Sequence, residues 1–252
     1  MLGGRERVSG EVSLGVGCAQ AALDLVSGRL CPVDEDAADG VIEHHSPRDL
    51  DAAPIRSPYR LAVVEEAVLA ARQAQASWCA AGLDARAACL RKLQDGLRAE
   101  RDALADAIVD DMGKPRWEAL GEVGAAIGKV DVTLDEGLAL TAERRPEGLG
   151  GRYAFKPHGV VAVIGPFNFP LHLPHGHLVP ALALGNSVVL KLSEQCPRTA
   201  RLYAELLLAA GFPPGVVGVV SGGAETGARL AAAGDVDVVA FTGSFAAGQS
   251  IR

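Results

Sequence analysis

Four short segments between Val160 and Phe241 limit what this chain can fold into. Val160–Ile164, Ser187–Leu192, Val216–Val220 and Val236–Phe241 are rich in β-branched residues and almost continuously apolar. A strand with one wet face alternates polar and apolar residues. These segments do not, so both faces of each must be covered, as in a parallel sheet. Helical spacing fills the gaps, over about Leu173–Leu184, Pro197–Ala210 and Glu225–Ala233. Gly185 and Gly211 stand where C-cap glycines belong, Pro197 suits a first turn, and Pro180 is expected to kink its helix. The expected fold class is α/β: a Rossmann-like, doubly wound parallel sheet, with ligands at the carboxyl ends of its strands.

The sheet is preceded by an all-helical stretch. Val63, Ala67, Ala70, Ala74 and Trp78 recur at the spacing of one buried stripe. A second helix is expected from Asp84 to Met112, with Leu90, Leu93, Leu97, Leu104 and Ile108 inward. Gly113-Lys114-Pro115 stops it. A third is expected over about Trp117–Leu140, with Trp117, Val123, Ile127, Val130 and Leu134 on one side. Glu143–Gly151 reads as a loop. Arg152–Lys156 alternates as a short strand does. Residues 1–57 offer only short apolar patches among Gly, Pro, Asp and Ser. The chain therefore divides at 1–57, 58–142, 143–158 and 159–252.

The net charge of −7 gives no electrostatic footprint for nucleic acid. No apolar run approaches the ~20 residues that span a bilayer. Gly15, Gly17, Gln20 and Asp24 interrupt the N-terminal region, so no signal peptide is expected. The five cysteines, Cys18, Cys31, Cys79, Cys89 and Cys196, are scattered and lack any Cys-x-x-Cys spacing. That pattern suits a reducing cytoplasm.

Each strand end carries a polar or glycine-rich tip. Ile164-Gly165-Pro166-Phe167-Asn168 ends the first. Prolines at 166 and 170 fix the backbone, and the Asn168 amide is a donor of the kind an oxyanion hole needs; alone it also reads as an ordinary turn. Lys191, Ser193 and Glu194 end the second. A lysine there needs a partner or an anion. Glu194 suits a ribose diol and repels a 2′-phosphate, favouring NAD over NADP; a solvated loop pair is the plainer reading. Gly222-Gly223-Ala224-Glu225-Thr226-Gly227 follows the third strand and opens a helix, where backbone N–H groups favour a phosphate. It is neither Gly-x-Gly-x-x-Gly nor a Walker loop. Phe241-Thr242-Gly243-Ser244 ends the fourth.

Other groups receive plainer assignments. His172, His175 and His177 do not share one helix face, and no metal site is assigned to them. His44-His45 reads as a solvated pair. Cys79 and Cys89 read as core or helix-face thiols. Cys196 precedes a helix-starting proline, a position that lowers a thiol pKa.

The four tips in this order resemble the aldehyde dehydrogenase superfamily, from roughly Ser46 onward and most densely over Pro157–Ser244. Within it, Gly113–Ala119, Leu173–Leu182 and Gly222–Gly227 are similar to the succinylglutamate semialdehyde dehydrogenase branch. That branch usually has Asn where this chain has His175, and the family's Lys-Pro-Ser-Glu is here Lys191-Leu192-Ser193-Glu194. The resemblance implies an NAD-dependent oxidation of a small-molecule aldehyde in arginine catabolism, by a homo-oligomer. It makes Asn168 the oxyanion donor and Ile164–Asn168, Lys191, Ser193, Glu194, Gly222–Gly227 and Phe241–Ser244 the cofactor residues. It makes 58–142 the helical part of the cofactor domain and 143–158 part of an oligomerisation hairpin. The family's nucleophilic cysteine and general-base glutamate fall past Arg252, so the catalytic domain is expected to be missing and the chain alone inactive. A non-catalytic dinucleotide-binding or interaction module, or an unrelated α/β binding domain, remain open as other readings.

Overall fold

The computed structural model describes residues 23–148 and 150–251. The N-terminal readings that concern Gly15, Gly17, Cys18 and Gln20 lie outside the described residues. Two hairpins open the described chain: β1 (Leu23–Val26) with β2 (Arg29–Pro32), and β3 (Gly40–His44) with β4 (Ile55–Tyr59). Four helices follow, α1 (Val63–Ala80), α2 (Leu83–Ala99), α3 (Arg101–Met112) and α4 (Arg116–Asp131). Then come β5 (Val160–Ile164), α5 (His172–Ala183), β6 (Ser187–Lys191), α6 (Pro197–Ala209), β7 (Val217–Val219), α7 (Ala224–Ala232), β8 (Val238–Phe241) and α8 (Phe245–Ile251).

The main sheet has the order β2-β1-β7-β6-β5-β8. Its β7-β6-β5-β8 portion is parallel, with Ile164 opposite both Lys191 and Phe241. The order steps from β5 to β6 to β7, then returns to place β8 on the other side of β5. The reversal makes a switch point between β5 and β8, where an open α/β sheet binds ligands.

Alternate strand residues feed two cores. Val161, Val163, Val188, Leu190, Val217 and Val219 pack with α2 to α6. Val160, Ala162, Ile164 and Val189 pack with residues of α1 and α7. Burial on both faces explains the continuously apolar strands. Leu90, Leu93, Leu97 and Leu104 are fully buried, each contributing about 1.5–3 kcal/mol. Gly113, Gly185 and Gly211 all have positive φ at helix ends, as expected. Pro180 lies inside the last turns of α5, which runs on to Ala183.

Several expectations change. The helix expected from Asp84 to Met112 is two helices, broken at Glu100 (φ −97°, ψ 19°). The third helix is regular only to Asp131, then widens into a π-helical turn over Val132–Glu136 and tightens into a 3-10 turn over Gly137–Thr141. Trp117, expected inward, is 76% exposed because it sits in the first turn of α4, ahead of the packed face. Arg152–Lys156 is not a strand; among the described residues its only pairing is a bridge between Tyr153 and Arg144. Residues 23–59, unreadable in sequence, form the two hairpins. Their strands are four or five residues long and half exposed, so neither period nor apolar density marks them.

Candidate functional site

The carboxyl ends of β5, β6 and β8 and the start of α7 enclose a crevice of about 860 Å³. Ile164–Asn168, Lys191, Ser193, Glu194, Gly223, Ala224, Gly227 and Phe241–Ser244 all line it. Gly222, Glu225 and Thr226 are not part of the lining. The tips, separated by up to 80 positions in sequence, meet because parallel pairing aligns the strand ends. The sequence reading missed Ala228 and Ala231, which with Ala224 form a small-residue wall of α7. Their three- and four-residue spacing was the available signal.

Lys191 is the last residue of β6 and only 4% exposed. Its ammonium is held by the Glu194 carboxylate at 2.9 Å and donates to the Leu192 carbonyl at 3.2 Å. The lysine's required partner is therefore Glu194 itself. Glu194 is part-exposed toward the crevice.

At the third tip, Gly222 has φ +133°, a region essentially closed to other residues. A Cβ there would overlap the Thr226 hydroxyl oxygen. That hydroxyl is buried and has no partner among the described residues. Gly223 precedes α7 without any side-chain cap, so the first-turn N–H groups are available to an anion. Asp24 of β1 braces the approach, accepting the Ser221 N–H at 2.7 Å. Burial pushes the Asp24 carboxyl up to about 6.

The Asn168 loop is held from the helical layer. Lys114, between α3 and α4, donates to the Asn168 carbonyl at 2.8 Å and lies 4.4 Å from the centre of the Phe169 ring. It also pairs with Glu122 of α4 at 2.8 Å. The other Glu122 oxygen accepts the N–H groups of Leu171 (3.0 Å) and His172 (3.1 Å), at the start of α5. Asn168 itself is exposed, and its side-chain amide has no protein partner among the described residues. Glu122 was not legible as a site residue, because its role depends on contacts about fifty positions away.

At the fourth tip the Thr242 N–H bonds the Ile164 carbonyl at 3.1 Å. Ser244 accepts the Ala247 N–H at 3.2 Å and so caps α8.

Two minor readings change, and a third residue is placed. Cys196 is not activated: burial, ahead of the nearby acids, pushes its thiol far up, and it points toward the Met112 sulfur and the Phe167 carbonyl. His44 is buried rather than solvated, and burial lowers its pKa. His175 is fully buried, with Nδ1 2.6 Å from the Tyr203 hydroxyl.

The aldehyde dehydrogenase family matches residues 39–252. The N-succinylglutamate 5-semialdehyde dehydrogenase of Chromohalobacter salexigens is 48% identical over 184 residues, 72% of this chain and 37% of that protein. The protein of the same name from Klebsiella pneumoniae is 46% identical over 188 residues, 73% of this chain and 38% of its own length. A mutant aldehyde dehydrogenase C from Pseudomonas syringae, complexed with NAD+ and octanal, superposes with a TM-score of 0.82 at 32% identity. That match covers 92% of this chain and 47% of the other. Lactaldehyde dehydrogenase from Escherichia coli gives 0.83 at 30% identity, over 92% and 49%. The chain thus spans less than half the length of each of these relatives.

Proposed function

The chain belongs to the aldehyde dehydrogenase family, and from that premise we propose that residues 159–252 hold the NAD of an enzyme oxidising N-succinylglutamate 5-semialdehyde to its carboxylate. The carrying observation is the convergence of the four strand tips on one crevice at the switch point.

The residues fit a dinucleotide. The uncapped start of α7 and the Cβ-free backbone at Gly222 and Gly223 suit a pyrophosphate. Glu194 accepts from a ribose diol while Lys191 keeps it oriented, and its charge opposes a 2′-phosphate, so NAD is preferred to NADP. When bound, the cofactor supplies a hydride acceptor. Asn168 is placed to donate to the aldehyde oxygen, and the Lys114–Glu122 pair holds its loop in position. Residues 58–142 form the helical part of the cofactor unit in this reading. Residues 143–158 serve self-association, with exposed Tyr153 and Phe155 edge to face at 6.3 Å. Among the described residues no helix is long and apolar enough to cross a membrane, which accords with work in the cytoplasm.

Thiolate chemistry needs an activated cysteine beside the aldehyde. In the family that cysteine follows the fourth strand tip, whereas all five cysteines here precede it. The 252-residue polypeptide is therefore expected to bind NAD without turnover. Calorimetric titration with NAD, alongside NADH absorbance with the semialdehyde, tests both halves. No NAD binding would overturn the cofactor assignment. Turnover lost on Cys196→Ser would reassign the active site.

A further inference from the structure

One face of α5 remains outside the core. His172, Leu173, Gly176 and His177, spaced i, i+1, i+4 and i+5, are its partly or fully exposed residues before Pro180. Leu173 lines the crevice. His177 reaches the crevice's fourth tip, with Nε2 3.4 Å from the Thr242 hydroxyl. This face therefore continues the crevice wall away from Asn168. Leu173 and His177 are about 6 Å apart along the helix axis.

On the other side of that face lies Lys129 of α4. A Cβ built on Gly176 would sit 3.7 Å from its Cε, so the missing side chain leaves room for the lysine stem. Three acids of the α4 segment are taken up elsewhere: Glu122 by Lys114, and Asp131 and Asp135 by Arg91. Lys129 has no carboxylate partner among the described residues. The neighbouring His172 ring has a buried Nδ1 without a partner among the described residues. Burial first, and the Lys129 charge after it, lower the His172 pKa while Glu122 raises it; Lys129 also acts, behind burial, on His175, so its positive charge lies close to α5.

An ammonium without a carboxylate partner, its stem packed at Gly176 one helical turn from the crevice residue Leu173, has a definite use. We propose that Lys129, with His172 beside it and His177 further along the same face of α5, is the subsite for a carboxylate carried by the aldehyde substrate. The proposal rests on the reading of the crevice as an aldehyde site and deepens it. An aldehyde at Asn168 with an acid group several bonds away would lie along Leu173 and end near Lys129. A neutral aldehyde would leave that charge unused, so the subsite selects semialdehyde acids.

The test uses the 252-residue chain, with glutarate as probe and glutaramide as the uncharged control. Calorimetry gives affinities, and NMR follows the imidazole signals of His172 and His177. Glutarate is expected to bind and shift both rings, while glutaramide does neither. Lys129→Gln is expected to weaken glutarate about tenfold, as loss of a charge-assisted hydrogen bond does, and Lys129→Arg to retain binding. Thermal unfolding verifies that the variants fold. Equal response to the two probes, or glutarate affinity untouched in Lys129→Gln, would overturn the subsite. NAD titrated in parallel keeps the readings apart: its failure to bind removes the cofactor assignment, whereas the glutarate comparison decides the subsite alone.

Discussion

Lys191 Nζ stands 2.9 Å from Glu194 Oε2, so the two polar residues at the end of β6 satisfy each other. Removing either should change more than one contact. Lys191→Ala is expected to weaken NAD binding by about 1–3 kcal/mol, because Glu194 loses its orienting partner. Glu194→Gln should narrow the gap between NAD and NADP. Equal affinity of the unmodified chain for both cofactors would contradict the assignment.

Glu122 is 1% exposed at its side chain, and its partner Lys114 is 10% exposed. Glu122→Ala strands a nearly buried ammonium and frees two N–H groups at the start of α5. Breaking such a pair costs about 3–5 kcal/mol. Urea unfolding at pH 7 measures it. A loss below about 1 kcal/mol would mean that water replaces the carboxylate, and that the Asn168 loop is held by other means.

Gly222→Ala combines an unfavourable φ with an overlap at Thr226. The strain alone costs about 1–3 kcal/mol. The variant should lose stability and NAD affinity together, since relief requires moving the loop that opens α7. Unchanged NAD affinity in a folded variant would place the pyrophosphate elsewhere.

Burial lowers the His175 pKa from 6.5 to about 3. The unfolded chain takes up a proton below about 6.5 that the folded chain refuses. This contribution to stability is therefore complete above pH 6.5 and is lost as pH falls toward 3, by up to about 1.4 kcal/mol per pH unit. Asp24 and Asp111, both raised to about 6 by burial, act in the opposite sense between 3.8 and 6. His175→Asn leaves those carboxyls in place and still offers Tyr203 a polar neighbour. Between pH 7 and pH 5 the variant should lose about 1–2 kcal/mol less stability than the parent in urea unfolding. Identical losses would show that the ring is protonated in the folded state.

The apolar β-branched runs and their glycine and proline punctuation determined the parallel strands, their helices and the tips that meet at the crevice, because burial on both faces leaves a local mark in composition. Family resemblance added roles for those tips. The hairpins of 23–59 were not legible, since short half-exposed strands obey no clear period and β1 gains its place from distant residues, through the pairing of Leu25 with Val219 and the bond from Ser221 to Asp24. Nor was the break at Glu100, where helical spacing continues across a change of direction. The roles of Glu122, Asp24 and Lys129 come from tertiary structure alone. Each acts on a group far away in sequence, and a charge takes its meaning from whatever the fold places within a few ångströms of it.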